Sequence, residues 1–463
     1  MKYKINYNLK SIDLDIPDEK VSSYLTYPDY KGETVKYSDL LSKLIIPQHK
    51  IIGVVINDLS RKNPHQKYLP AFIKKIKEFQ PQIVKFFIAN GTHEIITNTA
   101  KLQKQISEIA DEVGIKYSVF TNECDDKEKY INLGKTSFGT DILILKEWMT
   151  TEIRIYLHES KPHYMSGYSL IDKQMLPGLS ARESTVHNHK FALDEHSGPG
   201  RTYWNENLKD RNNPFSIDNV EFRHKTEKYQ LKYGRLIERD RNKDLAIDMF
   251  QCTAHAMNSV LHYVEKLWGV IGKPDNVCRK VVQKNEEIYK FKVRSTRYVI
   301  VSPGTNSACE SLYTTQRCLD MTVNNIIEDK GEVLIFSPCR GRHDAEPDYK
   351  GLTPDLESKE LFYDNLIKMK DWKFSQVREY IDNNFKLYMW KTHRLLRLMK
   401  QRQVKIYLYS ELNDNLLANV NIIPIKDYQL WINERIARDD GDFTIINFGN
   451  RIIAVNEPRI YTN

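Results

Sequence analysis

Short apolar runs alternate with amphipathic stretches of helical length along much of this chain, and that rhythm admits few folds. HKIIGVVIND (49–58) is a β-branched run ending in polar residues, the pattern of a strand buried on both faces. YLPAFIKKIKEF follows with apolar residues at helical spacing. QIVKFFIANGTH (82–93) repeats the strand pattern and TAKLQKQISEIADEVG the helical one. DILILKE (141–147) and EIRIYLHE (152–159) are further strand candidates. A second run of the same kind opens at RYVIVSPG (297–304), continues through the helix-like ESLYTTQRCLDMTVNNII and reaches EVLIFSPCRG (332–341). VKIYLYS (404–410) and TIINFG (444–449) extend it. Between the two runs lies a long polar segment after residue 200, then apolar patterns near 246–270 that predict helices. The expected architecture is α/β, with two α/β domains and an active-site cleft between them. The expected division is residues 1–292 for an N-terminal domain carrying cofactor and catalytic residues, and 293–463 for a C-terminal domain adding substrate contacts.

The chain's 463 residues exceed what one simple core organises. No window approaches the uninterrupted apolar length of a transmembrane helix, and the N-terminus alternates like a strand rather than a signal peptide, so a cytoplasmic protein with no membrane partner is expected. The six cysteines form no CxxC pair, which indicates neither a zinc ribbon nor a disulfide framework. The formal net charge of +8 favours anionic partners. Much of it lies in residues 201–245, where acids are mixed with the bases, as in a solvated face rather than a nucleic-acid site. HExxH, GxGxxG and GxxxxGK[ST] are all absent, against an ordinary zinc hydrolase, a standard dinucleotide site and a P-loop.

Polar residues cluster where strands end. Asp58, with Ser60 and Arg61 just beyond, closes the first strand; His93 closes the next in NGTH; His163 follows EIRIYLHE. Open α/β sheets bind ligands outside the carboxyl ends of their strands, so these positions predict one shared site. HYMSGYSLIDKQMLPG (163–178) adds Lys173 on a glycine-punctuated loop. His187 and His189, read as extended HNH, point to opposite faces, so only one can serve a given site. Three histidines with a lysine suit acid–base chemistry, a metal, or both.

These residues resemble the nickel-dependent lactate racemase family and its 2-hydroxyacid racemase and epimerase relatives. The family's Asp-x-Thr-Arg-x-x-Pro appears as Asp58-Leu59-Ser60-Arg61-Lys62-Asn63-Pro64, and its Gly-Thr-His as Gly91-Thr92-His93. His163, Ser166-Gly167-Tyr168-Ser169, Lys173, Leu176-Pro177-Gly178 and Asn188-His189 reproduce a further block in order and spacing. Leu312-Tyr313-Thr314-Thr315-Gln316-Arg317 is similar to a Leu-Tyr-Gln-x-x-Lys segment that helps hold substrate.

The resemblance implies a nickel-pincer nucleotide tethered to Lys173, with Ni(II) completed by His189. Asp58, Ser60 and Arg61 would hold the nucleotide. Arg61, Tyr313, Thr314 and Arg317 would hold a small 2-hydroxyacid, and enzymes that build the cofactor are implied as partners. His93 and His163 would be the catalytic proton handlers while hydride leaves C2, giving a 2-keto intermediate and inversion. Leu170-Ile171-Asp172 stand where the family has small residues, a departure that bears on cofactor loading. Thr314 and Arg317 replace its Gln and Lys, which with the Ser302-Pro303-Gly304 turn suggests a substrate larger or more polar than lactate. Two other readings remain open: a zinc- or iron-dependent lyase or hydrolase using the same histidines, and a relative that binds its ligand without turnover.

Overall fold

The structure, a computed structural model, describes residues 2–28, 34–59, 65–93, 98–135, 139–194, 197–200, 245–255, 263–272, 274–341, 351–353 and 356–456, with the backbone alone for 245–255 and 263–267. Two six-stranded sheets carry the α/β architecture that the sequence predicts. In the first, the strands run in the order Tyr263–Gly272, Leu245–His255, Ile153–His158, Ile51–Asn57, Ile83–Ala89 and Tyr117–Thr121. All neighbours are parallel except the outermost pair, Leu245–His255 with Tyr263–Gly272. That pair occupies the stretch where the sequence pattern predicts helices. Its apolar residues fit either period, and pairing with Ile153–His158 decides for strand.

The Ile51–Asn57 strand sits near the centre because both of its faces are apolar. Ile52, Val54 and Ile56 pack into one core with Leu69, Phe72 and Ile73 of the His65–Lys77 helix. Val55 faces the opposite core with Phe87 and Trp148. Asp141–Leu145, expected as a strand, pairs with Tyr130–Lys135 in a separate two-stranded sheet.

The second sheet runs Ile423–Pro424, Lys405–Tyr409, Ile327–Phe336, Thr296–Val301, Phe443–Ile446 and Val21–Leu25, parallel throughout. Val299, Val301, Val333 and Ile335 face one core, and Tyr298, Ile300, Leu334 and Phe336 the other. Its edge strand, Val21–Leu25, comes from the N-terminus, so the early chain helps build the sheet that the residues beyond 292 otherwise make.

A helix at Met389–Leu396 joins the residues after 163 to the second half of the chain. Every residue in it is buried, including Lys391, His393 and Arg394. The Arg394 guanidinium donates to the carbonyls of Ala192 (3.0 Å), Tyr164 (3.1 Å) and Ser197 (2.7 Å), to the Ser197 hydroxyl (2.9 Å), and to Asp320 Oδ1 (3.3 Å). Arginine's planar fork lets one charge satisfy that many acceptors. Arg394→Ala leaves a buried carboxylate and several carbonyls unpaired, and is expected to lower the unfolding free energy by about 3–5 kcal/mol, measured by urea denaturation.

Candidate active site

Three strand-to-loop junctions bring the predicted residues together. Asn90 and Gly91 follow the Ile83–Ala89 strand, and Gly91 adopts a φ of +58°, which favours glycine. The Gly91 N–H donates to the Gly178 carbonyl (3.0 Å), tying this turn to Leu176-Pro177-Gly178. Buried Asn122 reinforces the tie by donating to the carbonyls of both Gly91 and Ser180 (2.9 Å each). The turn delivers His93 to Asp58 at the end of the neighbouring strand, with Nδ1 2.9 Å from Oδ2. Asp58 is buried and His93 is not, so the carboxylate orients an accessible imidazole. An ionised carboxylate accepts only, which places the proton on Nδ1 and leaves Nε2 as the basic nitrogen of the neutral ring.

His163 is fixed in the opposite sense. It closes a short hairpin, Lys161–His163 against Gly167–Ser169. Its Nδ1 accepts from the backbone N–H groups of Met165 (3.3 Å) and Ser166 (3.2 Å). Its Nε2 stands 2.9 Å from Lys173 Nζ. Lys173 lies on the one-turn helix Asp172–Met175. Next to it, Gln174 is buried and donates to the Leu157 carbonyl (2.9 Å) and to Asn57 Oδ1 (3.2 Å), anchoring that turn to the central strands. Leu170 and Ile171 are buried in the adjoining apolar core, and Asp172 is buried at the start of the turn.

His189 comes from the Arg182–Lys190 helix, not from an extended segment. The conclusion about HNH survives this correction, because residues two apart on a helix also diverge. His187 Nδ1 meets the Thr140 hydroxyl at 2.8 Å, whereas His189 is buried beside the Trp390 ring, with centroids 5.5 Å apart. Its Nδ1 is buried without a hydrogen-bond partner. Burial, and secondarily the Lys173 charge, push its pKa down to about 3, so near neutral pH it keeps an unprotonated nitrogen. A buried, neutral imidazole with an orphaned nitrogen suits a metal ligand, and the lysine amine close by suits a tether. These residues fit the cofactor that the resemblance implies. Among the described residues no group of three or more His, Cys, Asp and Glu side chains is placed to hold a metal ion, so the three histidines do not make a zinc or iron site by themselves.

Ser60 and Arg61 lie outside the described residues. Tyr313, Thr314 and Arg317 lie beyond Ser311, at and after the start of the Leu312–Thr315 turn. Arg317 stands over the Tyr164 ring at 5.4 Å, and that ring stacks on His163 at 4.9 Å, which links Arg317 to the histidines. Tyr313 is buried, its carbonyl accepting from Lys391 at 2.5 Å. The Thr314 hydroxyl is taken up by a capping box with Ser311, accepting from its N–H (3.1 Å) and donating to its carbonyl (3.0 Å). Trp390 and Lys391 are additions that the sequence pattern did not single out. Trp390 Nε1 donates to the Tyr164 hydroxyl at 3.1 Å while its ring lies beside His189.

With this geometry in hand, comparison with known proteins is specific. Residues 7–200 match the lactate racemase N-terminal domain. A lactate racemase from Lactiplantibacillus plantarum is 24% identical over 198 residues, covering 40% of this chain and 46% of that protein, so this match spans less than half of the relative. One from Thermoanaerobacterium thermosaccharolyticum is 20% identical over 471 residues, covering 97% and 98% of the two chains. The solved lactate racemase apoprotein from the same organism has the same fold, with a TM-score of 0.71, 18% identity and coverage of 98% of this chain and 100% of the other. A Thermotoga maritima protein of known structure is more distant, with a TM-score of 0.53 and 12% identity. The family read from the His163–His189 block is therefore borne out. No helix among the described residues is long and apolar enough to cross a membrane.

His189 and His393 are both held near pKa 3, mainly by burial, whereas an unfolded histidine titrates near 6.5. Below about pH 6.5 the unfolded chain binds protons that the folded chain refuses, so stability falls as pH drops from 6.5 toward 3. The expected slope is about 1.4 kcal/mol per pH unit for each histidine. His393→Leu, away from the site, should remove about half of that slope in urea denaturation followed across this pH range.

Proposed function

We propose that this protein is a cytoplasmic isomerase, a racemase or epimerase that inverts the C2 stereocentre of a 2-hydroxyacid. Its cofactor would be a nickel-pincer nucleotide, joined to Lys173 and held through nickel by His189, with Asp58, Ser60 and Arg61 around its phosphoribosyl part. When bound, that group supplies an acceptor and donor of hydride at the substrate's C2. Enzymes that build it are the protein partners this reading requires.

The observation that carries the reading is the pair of histidines, each oriented through its Nδ1 by a different device. Inversion through a 2-keto intermediate needs a base to take the hydroxyl proton of one enantiomer and an acid to return a proton as the other forms. Asp58 orients His93 through its Nδ1, and two backbone N–H groups orient His163 through its own Nδ1. In each direction one ring would take the hydroxyl proton and the other return one, so a turnover leaves their roles exchanged. Arg317 and Tyr313 would orient the acid, and Tyr164, stacked on His163 and bonded by Trp390, would hold that ring's plane. A zinc or iron reading loses support because the histidines lack a convergent ligand set among the described residues.

The test is protein co-produced with the cofactor-building enzymes. Expected are a heavy adduct on the Lys173 peptide, near-stoichiometric nickel, and interconversion of 2-hydroxyacid enantiomers. A bare Lys173 under those conditions overturns the reading in favour of a non-catalytic binder. His93→Ala and His163→Ala should each lower kcat by roughly 10²–10⁴-fold with the adduct retained, whereas His189→Ala should lose nickel.

A further inference from the structure

Lys391 is fully buried, yet among the described residues no carboxylate pairs with it. Its Nζ donates to the Tyr313 carbonyl and lies 3.7 Å from the Tyr313 ring centroid and 5.9 Å from that of Tyr164. Arg317 approaches the same Tyr164 ring at 5.4 Å, and its Nε is buried without a hydrogen-bond partner. Asp320 is the acid that acts on Lys391, and its oxygens are already engaged by Arg394, Gln316 and Asn324. Two basic side chains thus flank one tyrosine, which in turn stacks on His163, and among the described residues no other carboxylate is placed to balance them. Buried charge in this arrangement is costly unless a ligand of opposite sign arrives.

We propose that Lys391 and Arg317 together receive two anionic groups, so that the preferred substrates are 2-hydroxy dicarboxylates rather than monocarboxylates such as lactate. One carboxylate pairs with Arg317 and leaves the Lys391 amine without an anion, whereas a diacid satisfies both. Burial and the Arg317 charge depress the proton affinity of the Lys391 amine in the empty site, and a second carboxylate restores it. The rings of Tyr164 and Tyr313 wall the cations from water, which strengthens both contacts. This inference rests on the 2-hydroxyacid reading and narrows its substrate.

The experiment measures calorimetric binding of 2-hydroxysuccinate, lactate and succinate to the full chain, together with racemisation by the loaded enzyme. A charge-assisted contact predicts that 2-hydroxysuccinate binds at least about tenfold more tightly than lactate. Lys391→Met, which fills the same buried volume, should narrow that ratio to about threefold or less. Arg317→Gln, at a partly exposed position, should narrow it too and covers the case in which the Lys391 variant does not fold. Equal affinities, or an unchanged ratio in both variants, overturn the inference. Racemisation of monoacids but not 2-hydroxysuccinate also overturns it while leaving the 2-hydroxyacid reading intact. A bare Lys173 with a diacid preference that depends on Lys391 does the reverse.

Discussion

The buried guanidinium of Arg394 is the contact on which the site's construction depends. It sits on a helix of the chain's second half, and the groups it bonds, apart from Asp320, belong to Tyr164, Ala192 and Ser197. Those three residues flank the hairpin of His163 and the helix of His189. Loops carry unpaired carbonyls, and unpaired carbonyls at depth are expensive. Arg394 answers several at once, which lets an irregular segment stay buried and hold its side chains in place. Trp390 and Lys391 precede it on the same helix, so the residue that fixes the segment also sets which groups face Tyr164 and His189.

Much of this architecture is legible in the sequence because β-branched runs such as Ile51–Asn57 and Thr296–Val301 suit nothing but buried strands. The expectation failed where period does not decide. Leu245–His255 and Tyr263–Gly272 form strands only because a partner edge lies beside them. MWKTHRLL resembles a partly solvated helix, since lysine, histidine and arginine are usually exposed; only the three-dimensional arrangement reveals acceptors for two of them. DILILKE has the composition of a central strand and joins a small separate sheet instead.

At the site, type and spacing singled out His93, His163, Lys173 and His189, but not the contacts that orient His93 and His163. Those depend on Asp58 and on two backbone N–H groups, and the second device leaves no mark on side-chain identity. The Ser311–Thr314 spacing is different, because a hydroxyl three residues after a serine is a readable cap signal and accounts for Thr314 without a ligand. HNH shows that a correct conclusion can come from the wrong local structure, since opposed faces follow from strand and helix alike.

The strand Val21–Leu25 carries a consequence for how the molecule is made. Its hydrogen-bonding partner, Phe443–Ile446, lies far downstream in the sequence. Translation at roughly 5–20 residues per second leaves the early strand waiting on the order of tens of seconds, its edge open to wrong partners. Closing the second sheet therefore joins segments far apart in the sequence, and Val21–Leu25 finds its place only after Phe443–Ile446 has been made. A ribosome-bound chain can assemble the first sheet before that moment, whereas the segment carrying His163 and His189 waits for Arg394 to fix it.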